Sequence, residues 1–77
     1  MDEQELLREL GTRIRSQRKR IKLTQEALAL AAGVDRSYYG AVERGERNIT
    51  FTVLCRLCVA LRCDVAALTD GIPTPTL

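Results

Sequence analysis

Leu6, Leu7, Leu10, Ile14 and Ile21 fall at helical spacing between polar residues, which predicts an amphipathic first helix from Gln4 to Arg20. Gly11 is its one weak position, and a close helix neighbour would account for the missing side chain there. Thr24 is placed to cap a second helix, with Gln25 and Glu26 in its first turn and Ala27 where an acid would complete a capping box. Ala27, Leu28, Ala31 and Ala32 form the apolar side of that helix, and Gly33 supplies the positive-φ residue that ends it. Asp35 caps a third helix, from Arg36 to Arg44, with Tyr39 and Val42 inward and Gly45 as its stop. After the polar loop Glu46–Thr50, a fourth helix over Thr52–Leu61 carries Leu54, Leu57, Cys58 and Leu61 on one face. Asp64 caps a short fifth helix holding Val65, Ala66 and Leu68. Gly71 to Leu77, with Pro73 and Pro75, reads as an extended, mobile tail. The expectation is an all-α bundle of five helices over residues 1–70 and a tail over 71–77.

Seventy-seven residues make one domain with a modest core, for which dimerisation is an ordinary source of added stability. The net charge of +2 is too small to imply a polyanionic partner, but its distribution is uneven. Arg13, Arg15, Arg18, Lys19, Arg20 and Lys22 follow one another with no acid among them, whereas Asp2, Glu3, Glu5 and Glu9 precede them. Complementing the helix dipole explains part of this order. The surplus of bases still leaves a patch suited to phosphates. Neither a signal peptide nor a membrane-spanning apolar run is present, so a cytoplasmic location is expected. Cys55, Cys58 and Cys63 are an odd number, lack a fourth ligand or any histidine, and read as small hydrophobes rather than as a metal site. No metal and no cofactor is expected. Without histidine or a cluster of facing acids there is little from which to build an acid–base pair, so an enzyme is not expected.

Thr24 through Glu43 reads as helix, glycine turn, helix, which is the helix-turn-helix arrangement. Many αα-corners share that outline, and the residues are more specific than the pattern. Leu23-Thr24-Gln25-Glu26-Ala27-Leu28, Ala32-Gly33-Val34-Asp35 and Val42-Glu43-Arg44-Gly45, continued by Leu54, Leu57-Cys58 and Ala60-Leu61, resemble the Cro and XRE-type repressor domain. The resemblance covers residues 7 to 68 and implies a lambda-repressor-like fold. Asp35-Arg36-Ser37-Tyr38-Tyr39 with Glu43-Arg44-Gly45-Glu46-Arg47-Asn48-Ile49 resembles the controller proteins of bacterial restriction–modification systems.

The resemblance implies roles for individual residues. Gln25 matches a glutamine that fastens helix two to the DNA backbone, and Thr24 caps that helix beside it. Arg36, Ser37 and Tyr38 match residues that read base edges, Arg36 through guanine O6 and N7. Gly40 and Ala41, one turn on, would allow close approach to DNA but little reading. Arg47 matches a loop residue that reaches a base edge, and Asn48 one that reaches the backbone. Arg13 and Lys22 are further phosphate candidates. Arg18 and Glu43 match a buried structural ion pair between helices one and three. Tyr39 is expected in the core.

These features imply a sequence-specific transcriptional regulator that binds double-stranded DNA with two half-sites as a homodimer. The surplus apolar residues Val53, Val59, Val65, Leu68 and Ile72 are the expected dimer interface. As a controller it would bind operators upstream of its own gene and the endonuclease gene, activating at one site and repressing at another. Activation would require a contact with RNA polymerase, for which no residue can be assigned. A phage or plasmid repressor and a DNA-binding antitoxin share the domain, although the short tail offers little with which to mask a toxin.

Overall fold

The computed structural model describes residues 1–74 of the chain. Five helices are found among them: α1 (Glu3–Arg20), α2 (Gln25–Ala32), α3 (Arg36–Glu43), α4 (Phe51–Leu61) and α5 (Val65–Thr69). Every one begins on a side-chain oxygen. Asp2, Thr24, Asp35, Thr50 and Asp64 each accept from a backbone N–H of the first turn, satisfying a donor the helix cannot satisfy itself. Asp2 and Glu5 form a complete capping box, so the acids preceding the basic run begin α1 as well as matching its dipole. The backbone hydrogen bond to Glu5 also holds the Asp2 carboxyl below its ordinary value.

The first four helices end alike. In each, two backbone N–H groups turn back onto carbonyls of the last turn through a left-handed residue. Gly33 and Gly45 serve α2 and α3, as the sequence predicts. Lys22 (φ 62°) and Arg62 (φ 59°) serve α1 and α4, where no glycine marks the position.

Ile14, Leu28, Tyr39, Leu57 and Leu61 are fully enclosed at the centre of the core. On α2 the buried side is Leu28, Ala29 and Ala32, while Ala31, expected inward, is exposed. Helix α2 packs against both α3 and α4, so its buried strip is the one that fits between them. Gly11 behaves as expected. A Cβ there would collide with the backbone carbonyl oxygen of Glu43 and lie 2.6 Å from that of Val42, so α1 and α3 cross backbone to backbone.

Two expected site residues belong to the scaffold instead. Leu68, assigned to a dimer interface, is 2% exposed and closes the core from α5. Arg13, assigned to phosphate, pairs with Glu9 at 3.0 Å and donates to the carbonyl oxygens of Leu68 and Asp70 at 3.2 and 2.5 Å. Gln17 likewise donates to the Leu61 carbonyl oxygen at 2.9 Å. These side chains of α1 bind carbonyls at the ends of α4 and α5, which would otherwise lack donors. Of the expected tail, Ile72 and Pro73 line a surface groove; residues 75–77 lie outside the described residues.

Candidate nucleic-acid interface

Asp35 sits between α2 and α3, and its carboxylate accepts from Tyr38 N at 3.0 Å. The Gly33 turn before it sends α3 away at an angle, with Tyr39 and Val42 directed into the core. Arg36 and Ser37 consequently emerge on the outer face, exposed at the start of the helix. Tyr38 is half-buried, its ring packed against the core edge. The guanidinium of Arg47 lies 5.7 Å from the centre of that ring, a cation–π distance. The loop arginine is therefore brought onto α3 through Tyr38, a link that neither residue's expected role implied.

Behind this face lies a fully paired polar cluster. Arg18 Nε and Nη2 donate to the two Glu43 carboxylate oxygens at 2.6 and 3.0 Å, and its Nη1 donates to the Leu23 carbonyl oxygen at 2.9 Å. Tyr39 donates its hydroxyl to Glu43 Oε2, and Gln25 Nε2 donates to Glu43 Oε1 at 2.9 Å. Arg18 is 8% exposed and Glu43 7%, so this is the buried α1–α3 ion pair expected from the resemblance. Burial alone would raise the Glu43 carboxyl, but the hydrogen bonds from Arg18, Tyr39 and Gln25 outweigh it and hold the pKa below its ordinary value. Glu43's hydrogen bond raises the Arg18 pKa, and burial with the Glu43 hydrogen bond pushes the Tyr39 hydroxyl strongly upward. Both ions stay charged and the phenol stays neutral.

The remaining expected contacts divide. Thr24 is exposed, with its hydroxyl oxygen used as the α2 cap, and Lys22 is exposed at the α1–α2 turn. Gln25, expected to hold a phosphate, directs its amide nitrogen inward to Glu43 and so ties α2 to α3. Ala41 is buried, and Gly40 is buried beneath neighbouring side-chain ends rather than open to close approach. Asn48 is exposed, yet it lines the groove between α1 and α4 together with Ile49. That groove, about 350 Å³, is also walled by Leu6, Phe51 and Ile72.

The same side of the molecule carries an apolar strip that the inward-facing pattern did not reveal. Phe51, Cys55 and Val59 recur every four residues along α4, with Phe51 68% and Val59 80% exposed. Of the other expected interface residues, Val53 and Val65 are half-buried. Cys58 is in the core, where burial pushes its thiol up to about 12, and burial raises Cys63 too.

A capped helix, a glycine turn and a second helix with an exposed arginine on its outer face make up a helix-turn-helix. The family described as helix-turn-helix matches residues 14–68, and the chain belongs to it. Control protein C.SmaI from Serratia marcescens is 44% identical over 68 residues, which span 88% of this chain and 77% of that protein. The crystal structure of the restriction–modification controller protein C.AhdI from Aeromonas hydrophila superposes with a TM-score of 0.79 at 42% identity, covering 80% of this chain and 94% of that one. The controller protein C.Esp1396I, solved as a tetramer with its natural 35-base-pair operator, gives 0.78 at 29% identity, covering 84% of this chain and 86% of that one. Among the described residues, no helix is long and apolar enough to cross a membrane.

Proposed function

We propose that the chain is a restriction–modification controller: a cytoplasmic, non-enzymatic regulator that binds operators upstream of its own gene and the endonuclease gene as a homodimer. The observation that carries this reading is the outer face of α3, where Arg36 and Ser37 are exposed while Arg47 lies over the Tyr38 ring. Arg36 reads guanine through a bidentate pair, Ser37 bonds to a base or phosphate, and Tyr38 contacts a thymine methyl group or a phosphate. Arg47 reaches a base edge from its place over Tyr38. Lys22 and the α2 cap at Thr24 face the backbone, with Asn48 at the edge of the same loop. The operator-bound assembly of C.Esp1396I and the identity to C.SmaI and C.AhdI support the assignment.

Pairing runs along Phe51, Cys55 and Val59 and into the adjoining groove, where Ile72 contributes. Two recognition helices about one turn of DNA apart then read the two half-sites. Concentration sets which operator is filled, and activation adds a contact with RNA polymerase.

Anisotropy titration against the DNA upstream of the gene tests the reading. Binding is expected at low salt, and Arg36→Ala should weaken it by about tenfold or more, the loss of one bidentate base contact. No binding, or binding indifferent to Arg36→Ala, would overturn it. Sedimentation should show a dimer that Phe51→Asp converts to monomer.

A further inference from the structure

Gly40 lies four residues after Arg36 on α3 and four before Arg44, the residue at the helix's C-cap. At the point where its Cβ would stand, three long side chains converge. Arg44 Nη1 is 3.3 Å away, Gln25 Oε1 3.6 Å and Arg36 Nη1 3.8 Å. A Cβ at residue 40 would press on Arg44 Nη1 and stand in ordinary contact with the other two ends, so the glycine widens the space around which they gather.

We propose that Arg44 is a further DNA-contacting residue, and that with Arg36 it forms a two-guanidinium notch over Gly40 for an oxygen of one backbone phosphate. The proposal rests on the DNA-binding reading above. Glu46 Oε1 accepts from Arg44 Nε at 3.0 Å, on the edge of the guanidinium away from Nη1, and so holds the group turned back along the helix. Gln25 has its amide nitrogen committed to Glu43, and this leaves Oε1 as the atom facing the notch. An amide oxygen presents an acceptor beside the arginines and cannot donate to phosphate, so Gln25 is not the phosphate donor here.

Two cationic ends turned toward one point repel, Glu46 screening Arg44 only from its far edge, and an anion between them reverses the sign of the interaction. A phosphate oxygen accepts charge-assisted hydrogen bonds from both. The edge of a neutral base would satisfy one guanidinium and leave the repulsion in place, which selects phosphate over base as the occupant. Arg36 keeps Nε and Nη2 for the base edge it reads.

The test is anisotropy titration of the full chain over a range of salt, against the operator duplex and a duplex with altered half-sites. Arg44→Ala should weaken binding to both duplexes by about tenfold and reduce the slope of log K against log salt by about one, as expected for one lost phosphate contact. The Cβ of Gly40→Ala is tight only against the flexible end of Arg44 and in ordinary contact with Gln25 and Arg36, and alanine favours the helix, so its thermal stability should be at least that of the parent. It should nevertheless weaken binding by about threefold, and this effect should vanish when Arg44 is already alanine. An unchanged salt slope in Arg44→Ala overturns the proposal. So does a changed preference between the duplexes, or an equal cost of Gly40→Ala in both backgrounds. A parent protein that binds neither duplex overturns the DNA reading itself.

Discussion

The inner and outer faces of α3 use the same kinds of residue to opposite ends. On the inner face a carboxylate, a guanidinium, a phenol and an amide are all paired, and among the described residues no buried side-chain nitrogen or oxygen lacks a partner. On the outer face Arg36 and Ser37 are exposed, and two guanidinium ends crowd toward one glycine. Burial makes the difference. A charge in low dielectric must be matched within the fold, whereas an exposed one can wait for a ligand. The inner pairing is what keeps the outer face in one orientation, because Glu43 ties α3 to α1 through Arg18 and to α2 through Gln25.

That contrast can be broken most directly from inside. Glu43→Ala strands the Arg18 charge and removes the acceptor of Gln25 and Tyr39, at an expected cost of about 3–5 kcal/mol by urea denaturation. In a domain of this size such a loss leaves little folded protein. Gly11→Ala should come next, at about 1–3 kcal/mol, because backbone carbonyls cannot move aside as a side chain can.

Acid should weaken the inner face more gently. The folded Glu43 pKa lies below its usual 4.5, so its stabilisation is full above that value and declines as the pH falls through the lower, folded one. Thermal melts should hold steady near neutrality and drop on acidification below about pH 4.5, a drop that Glu43→Gln should lessen. The smallest effect sharpens the contrast from outside. Arg36→Ala should shift stability by less than about 0.5 kcal/mol while weakening DNA binding by about tenfold or more, since its side chain lies outside the packed interior. A melt that fell as far as that of Glu43→Ala would erase the distinction between the faces.

The helices themselves were legible because their signals are local. An Asp or Thr three residues before a free N–H can cap a helix, and the three caps expected at Thr24, Asp35 and Asp64, with Gly33 closing α2, are present. The ends of α1 and α4 were harder to read. Lys22 and Arg62 adopt the left-handed conformation without being glycine, at a modest steric cost that the closing hydrogen bonds offset. The resemblance also carried Arg18–Glu43 correctly, and Gly11 announced a close approach by lacking a side chain.

Sequence by itself thus determined the order of the helices, the starts of α2, α3 and α5, the glycine turn of the helix-turn-helix and the residues at its corner. Tertiary structure alone decided what each long side chain touches. It placed Leu68 in the core, turned Arg13 toward the carbonyls at the end of α5, drew Gln25 in to Glu43 and brought Arg44 back over Gly40. The physical reason is range. Caps and periodicity act over three or four residues, whereas these contacts span as many as 57 and depend on the angles at which helices cross. The outer face of α3 could be named from the chain, but the partners that hold it in place came only with the packing.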